Sequence, residues 1–425
     1  MLTLLSRRLG ALSLAALMLA VLPACDSGGD DDDGGEPDGF IYAGVNFDRL
    51  FAEPTADETA AVRADWASRT PDADGVTVVS SGAFDGATHY VITHTVDEGH
   101  GAPQTHYGLV RVPDGLGDDA NAPVLVVHHG GDDGVGAASS MRDQTANTSV
   151  QAMAGALPDL FAETVQVVPT YRAEDLRLSG SGLDCGDGST TCTSGGSPSP
   201  WDYDVDDAMA LLSSVLDLGE LDGQVDPSRV AAIGFSRGGN TATLHAVRDS
   251  RVLAVTDYYG PTDFFNPIVT SVMANGGPIN GLAFGVLSGN DGALSLPGAQ
   301  FIFDEVLDPL RGPNNAYNAN ADYAGARLEV VKRSTSLFAA DLPPFQVHHH
   351  RQDIVVPVGF SQAFQARAGG AGEFNYYGPE SGELSALFHA PEVTPDMQAS
   401  LQPTQEFLLL ALSAPTAQPE LVWAD

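Results

Sequence analysis

Ser236 is the residue whose setting most directly suggests chemistry. It sits in Gly234-Phe235-Ser236-Arg237-Gly238-Gly239, a Gly-x-Ser-x-Gly-Gly run. Just upstream, Val230-Ala231-Ala232-Ile233 reads as a buried parallel strand, too short to be a helix. Just downstream, Asn240 to Val247 reads as a helix. A serine on so sharp a strand-to-helix turn takes strained backbone angles, and glycines two positions to either side let neighbouring chain pass closely. The turn lifts the hydroxyl out of the sheet. It also aims the backbone N–H of Arg237, at the helix start, toward whatever oxygen the serine attacks. The chemistry on offer is acyl transfer: a hydroxyl attacks a carbonyl once an adjacent base takes its proton. Without the flanking strand and helix, the same letters would be an ordinary small-residue turn.

This strand–turn–helix resembles the nucleophile elbow of the α/β-hydrolases, and the resemblance implies partners for Ser236. In that family a loop two strands earlier supplies a second oxyanion donor. Here His128-His129-Gly130-Gly131 ends the apolar strand Pro123 to His129, which assigns Gly130 and Gly131 to the oxyanion hole beside Arg237. His129 could add a side-chain donor. Asp132 and Asp133 follow, where the family expects an apolar residue or proline.

The orienting acid belongs at the end of a strand after the elbow. Pro344 to His350 leads into Arg351-Gln352-Asp353-Ile354-Val355-Val356-Pro357. This resembles the family's His-Gly-x-x-Asp-x-x-Val-Pro loop, with His349 in the first place and His350 where glycine is usual; Asp353 is then the acid. The consecutive His348, His349 and His350 do not read as a metal site, because neighbours on a strand point to opposite faces. Gly359-Phe360-Ser361-Gln362-Ala363 is a decoy, since no strand of the right kind precedes it. In this fold the base follows the acid. After Asp353 the chain holds one histidine, His389, in Leu387-Phe388-His389-Ala390-Pro391. No cofactor or metal is required.

The elements that must position these groups follow from pattern. One helix is expected from Val45 to Arg69, with Glu58, Ala61, Val62 and Trp66 at helical spacing. Val76 to Ser80, His89 to Val96 and Thr105 to Val112 read as strands, enough for an antiparallel start to the sheet. Pro123 to His129, Val165 to Tyr171, Val230 to Phe235, Leu253 to Tyr258, Pro344 to His349 and Glu373 to Tyr377 continue the series. Helices intervene, notably Tyr203 to Leu218, whose Asp202, Asp204, Asp206 and Asp207 crowd its positive N-terminal end. Such alternation argues for an α/β fold: a mainly parallel sheet with helices on both faces. The catalytic domain is expected over 45–415.

Composition narrows the partners. The 425 residues carry a formal charge of −37, and Lys332 is the only lysine. So acidic a surface repels nucleic acid and anionic membrane, and it resembles proteins of salt-adapted organisms, where counterions screen the repulsion. Arg7 and Arg8 followed by apolar Leu9 to Val21 read as a signal peptide over 1–25, too short to span a bilayer comfortably. It ends in Leu22-Pro23-Ala24-Cys25, which resembles the lipobox of bacterial lipoproteins. That implies cleavage before Cys25, lipidation of its thiol and a place in the cell envelope, with the lipid as the sole membrane contact. Residues 26–44 open with an Asp/Gly run, a self-repelling tether that lacks the register of a calcium loop.

Two insertions stand out. Leu176 to Pro200 holds Cys185 and Cys192, and the oxidising envelope implies a disulfide between them; zinc would need more ligands than this loop offers. The stretch 264–342 lies where the fold commonly grows a helical cap. Its Phe264, Phe265, Phe284, Phe301, Phe303 and Phe338 either line a substrate pocket or pack the cap onto the core. From Gly75 to Pro391 the chain resembles the catalytic domain of the prolyl oligopeptidase family, and almost as closely the dienelactone-hydrolase and cinnamoyl-esterase-like groups. The echoes are Val225-Asp226-Pro227-Ser228-Arg229, Pro169-Thr170-Tyr171-Arg172 and Tyr259-Gly260-Pro261-Thr262-Asp263. It has no room for the propeller of prolyl oligopeptidases, and Gly-Phe-Ser-Arg-Gly-Gly lies nearer the esterases. The resemblance implies a serine hydrolase acting on a small ester or short peptide. A lipid-anchored binding protein that keeps the fold without catalysis is the alternative.

Overall fold

The computed structural model describes residues 39–42, 44–69, 73–96, 103–116, 121–131, 134–138, 149–221, 223–266, 302–353, 355–380 and 395–413. The signal peptide, Cys25, Asp132, Asp133, Phe284, Phe301 and His389 lie outside them, as does the side chain of Phe303.

Nine strands form one mixed sheet: β1 (Ala73–Phe84), β2 (Ala87–Val96), β3 (Gln104–Pro113), β4 (Ala122–His128), β5 (Val165–Pro169), β6 (Val225–Phe235), β7 (Val252–Tyr258), β8 (Phe345–His350) and β9 (Glu373–Tyr377). Their spatial order is β9-β8-β7-β6-β4-β5-β3-β2-β1. β1, β2 and β3 pair antiparallel, and β3 meets β5 antiparallel. From β5 to β9 every pairing is parallel. The fold is therefore an α/β-hydrolase sheet, with β6 near its middle.

Alternate residues of the central strands feed two buried layers. Leu125, Val127, Ala231 and Ile233 face one, packed on Leu408 and Leu412 of the helix Leu401–Ser413. Val124, Val126, Val230 and Ala232 face the other, packed on Leu211, Leu212 and Val215 of α2 (Tyr203–Leu216) and Ala242 and Ala246 of α3 (Arg237–Arg248). Apolar side chains on both faces are what a parallel sheet under two helical layers needs.

One expectation is corrected. The helix expected over Val45 to Arg69 is α1 over Ala56–Ala67 alone; a short strand pair and a single turn, Phe47–Leu50, precede it. Pro54 lies in the break. Thr55 then caps α1: its Oγ1 accepts from Glu58 N–H at 3.2 Å, and its own N–H donates to Glu58 Oε2 at 2.8 Å. The aspartates of α2 crowd its N-terminal end as expected, and they are also ion-paired there. Asp202 caps nothing with its side chain, and all four face inward against arginines. Arg69 reaches Asp202 at 2.8 Å and Asp206 at 2.9 Å, and Arg172 grips Asp207 at 3.0 and 2.6 Å.

Within 264–342, Phe264, Phe265 and Phe338 join a buried cluster with Trp66 and Trp201. For these three phenylalanines packing, rather than pocket lining, is what is seen. The Leu176 to Pro200 loop closes on itself. Asp175–Arg177 pairs antiparallel with Thr191–Thr193, and the sulfurs of Cys185 and Cys192 are bonded at 2.09 Å.

Candidate active site

Ser236 stands between the end of β6 and the start of α3, with φ 56° and ψ −126°. Few non-glycine residues hold such angles, and they persist only where surroundings over-determine them. Those surroundings are tight backbone. A Cβ on Gly234 would lie 2.0 Å from the Gly238 carbonyl oxygen, and one on Gly238 would lie 2.3 Å from that of His128. The Gly-x-Ser-x-Gly spacing is thus a packing requirement, as expected of an elbow. Ser236 N–H donates to Tyr258 O at 2.8 Å, and Gly239 N–H returns to Ser236 O at 2.8 Å.

Gly130 brings the loop after β4 onto this turn. A Cβ there would meet Phe235 O at 2.7 Å and Ser236 Cβ at 3.0 Å. Gly131 follows at φ 80°, a conformation that favours glycine. Gly130 therefore stands against Ser236, while a Cβ on Gly131 would meet nothing within 4 Å. His129 does not take the donor role considered for its side chain. It is buried, its ring stacks on Tyr171 at 4.4 Å, and Nδ1 lies 3.1 Å from the carbonyl of Gly130. Burial, and then the nearby Arg237 charge, pull its pKa down to about 3, so the ring is neutral.

Arg237 opens α3, where a first-turn N–H has no acceptor within the helix. The residue is held from both ends. Its guanidinium is buried between Glu174 and Asp204 and lies over the Tyr171 ring at 4.8 Å. Its carbonyl accepts from Trp201 Nε1–H at 3.1 Å. Burial works against the cation, but the two carboxylates hold it protonated. The motif placed an arginine here; its clamp has no local sequence signal, because Glu174 and Asp204 are 63 and 33 residues away.

Asp353 lies in the loop after β8, two strands beyond β6. Its Oδ1 accepts from the N–H of Val355 at 2.8 Å and of Val356 at 3.2 Å. Its Oδ2 lies 3.7 Å from His349 Nε2. His349 Nε2–H donates to Val356 O at 2.7 Å, while Nδ1 meets the Ser361 hydroxyl at 2.7 Å. Ser361, the decoy serine, is therefore a helix residue that holds His349. His348 contacts Tyr377 Oη at 2.7 Å and Thr404 Oγ1 at 3.1 Å, on the other side of the strand. With both nitrogens engaged, neither ring is placed to act as a mobile base. His389, the expected base, falls outside the described residues. No group of three or more histidine, cysteine or acidic side chains among the described residues is arranged to hold a metal ion.

No family model matches the sequence, and no curated protein matches it. Solved structures do resemble the fold. Acetyl xylan esterase 1 from a Thermoanaerobacterium species superposes with a TM-score of 0.52 at 16% identity, covering 87% of this chain and 99% of that one. An acetyl xylan esterase from a Paenibacillus species gives 0.50 at 15%, covering 85% and 98%. The likeness is one of architecture: this chain has the α/β-hydrolase fold over its described residues.

Proposed function

We propose that this chain is a lipid-anchored serine hydrolase that cleaves small acyl esters, with any peptide cleavage restricted to short peptides. The observation that carries the reading is the strained Ser236 on its elbow, with the Gly130 backbone packed against it. In the proposed mechanism Ser236 Oγ attacks the substrate carbonyl while His389 takes its proton. Asp353 holds the imidazole in the right tautomer, and its two backbone N–H partners fix the carboxylate for that task. The N–H groups of Arg237 and of the Gly130–Gly131 loop stabilise the oxyanion. His389 then protonates the leaving alcohol, and water releases the acyl group by the same steps in reverse.

Amides demand more, because a poor amine leaving group needs its proton delivered by a well-placed acid. The two neighbours named as acetyl xylan esterases support short acyl esters as the first substrates to try. The decisive experiment uses a fluorophosphonate probe and p-nitrophenyl acetate. Wild type should be labelled and should hydrolyse the ester, and Ser236→Ala should do neither. Labelling that survives in the variant removes Ser236 from the reaction. No labelling of wild type favours the binding-protein alternative. Aminoacyl and prolyl anilides assayed alongside test the ester preference; a kcat/KM for anilides above that for every ester overturns it.

The anchor is proposed at Cys25, in the bacterial envelope. Cys25→Ser should move the protein from the detergent phase to the aqueous phase on partition. An unchanged partition refutes the lipid.

A further inference from the structure

Beneath the elbow runs a chain of polar groups that the proposed mechanism does not use. Tyr171 Oη lies 3.1 Å from His128 Nδ1, and His128 Nε2 lies 3.0 Å from His245 Nδ1. His245 Nε2 in turn lies 3.3 Å from Asp249 Oδ2. All four residues are buried. Asp249 is an anion: burial alone would raise its pKa, but hydrogen bonds from His245 and Arg251 lower it overall. The anion at one end sets the direction of the bond that it accepts. His245 donates to Asp249 through Nε2, and His245 Nδ1, both ring nitrogens of His128 and the Tyr171 hydroxyl pair along the rest of the chain. Every ring nitrogen of the two buried imidazoles then has a hydrogen-bond partner.

The chain joins the two halves of the oxyanion site. His128 ends β4 and is two residues before Gly130. His245 lies on α3, whose first residue is Arg237. Tyr171 touches residues of both halves, with His129 stacked at 4.4 Å and the Arg237 guanidinium at 4.8 Å from its ring. The His128 and His245 rings meet edge-on, with centroids 5.2 Å apart. A hydrogen bond between buried rings fixes distance and angle together, which apolar packing does not.

We propose that the Tyr171–His128–His245–Asp249 chain sets the separation of the Gly130 loop from the Arg237 N–H, making Tyr171, His128 and His245 positioning residues for the oxyanion. The proposal rests on the serine hydrolase reading. Oxyanion donors act on charge that develops only in the transition state, so loosening them lowers kcat and leaves KM in place.

The test measures kcat and KM on p-nitrophenyl acetate and the second-order rate of fluorophosphonate labelling, with circular dichroism to confirm folding. Tyr171→Phe deletes one hydroxyl and keeps the ring. It should lower kcat and labelling about 10-fold or more, with KM within a factor of two. His245→Leu should do at least as much, while His245→Asn, whose side-chain amide can still hydrogen-bond His128, should recover most of the loss. Tyr171→Phe with His245→Leu should be no worse than the poorer single variant, because both cut one chain. Folded variants at the wild-type rate, a loss confined to KM, or single losses that multiply in the double variant would each overturn the proposal. Should His245→Leu fail to fold, Tyr171→Phe and His245→Asn still decide. A wild type that the probe does not label at Ser236 is a failure of the hydrolase reading, seen before any variant is compared.

Discussion

The loop that carries Asp353 and the turn that carries Ser236 are both held in place, but by different physics. Asp353 is held by its own neighbours: N–H groups two and three residues ahead, and a histidine four residues behind. This is a turn that the local sequence closes by itself. Arg237 is held by a charge on one other segment, Glu174, and by a charge and an indole on a second, Asp204 and Trp201 at the start of α2. An aspartate that accepts from the backbone ahead costs the fold little. A serine at φ 56° does cost, and such strain must be repaid by packing from outside the turn. Where the chain is relaxed, neutral N–H groups suffice; where it is strained, buried ion pairs are recruited.

That contrast predicts that damage to the acid loop is chemical and damage to the elbow clamp structural. Asp353→Asn should reduce kcat by about 10⁴-fold through the wrong imidazole tautomer. Its melting temperature should stay close to wild type, because the amide oxygen still accepts from Val355 and Val356. A variant that loses stability instead would erase the distinction. Arg237→Met leaves Glu174 and Asp204 as buried anions without their cation and should cost about 3–5 kcal/mol in denaturant unfolding. Adding Glu174→Gln and Asp204→Asn should recover more than half of that loss. If they recover none, charge is not what the clamp contributes.

The smallest effect tests the elbow's underside. Asp257 on β7 lies so near α3 that a Cβ on Gly239 would come within 2.0 Å of its Oδ1. Burial raises its pKa to about 7, against the opposing hydrogen bond from Gly260 N–H. An unfolded aspartate titrates near 3.9, so the folded chain binds the extra proton between about pH 4 and pH 7. The stability this confers is complete below about pH 4 and is lost as pH rises through about 7. Asp257→Asn should therefore gain on wild type by about 1–3 kcal/mol between pH 5 and pH 8, read as the difference of two unfolding series. Parallel pH profiles would show that Asp257 does not titrate there.

What could be read from the sequence was what lies close together along the chain. The central strands were legible as apolar runs, and Glu373–Tyr377 falls where it was expected. The elbow was legible because glycine spacing records a backbone approach directly. The break before α1 was also written locally, in Pro54 and the Thr55–Glu58 capping pair; the helical spacing of Val62 and Trp66 outweighed it. The aspartates of α2 are legible as a helix-end cluster but not as ion pairs, because their arginine partners come from elsewhere in the chain.

The sequence by itself therefore determined the order of strands and helices, the turn at Ser236 and the loop at Asp353. Each of these depends on sterics and hydrogen bonds that reach only a few residues. Tertiary structure alone decided which charges meet. It set Arg237 between Glu174 and Asp204, and it lined up Tyr171, His128, His245 and Asp249, residues drawn from a strand end, a loop and a helix. Pairing of buried polar groups depends on distance in space, and a one-dimensional pattern carries no record of which distant segments the sheet will bring into contact.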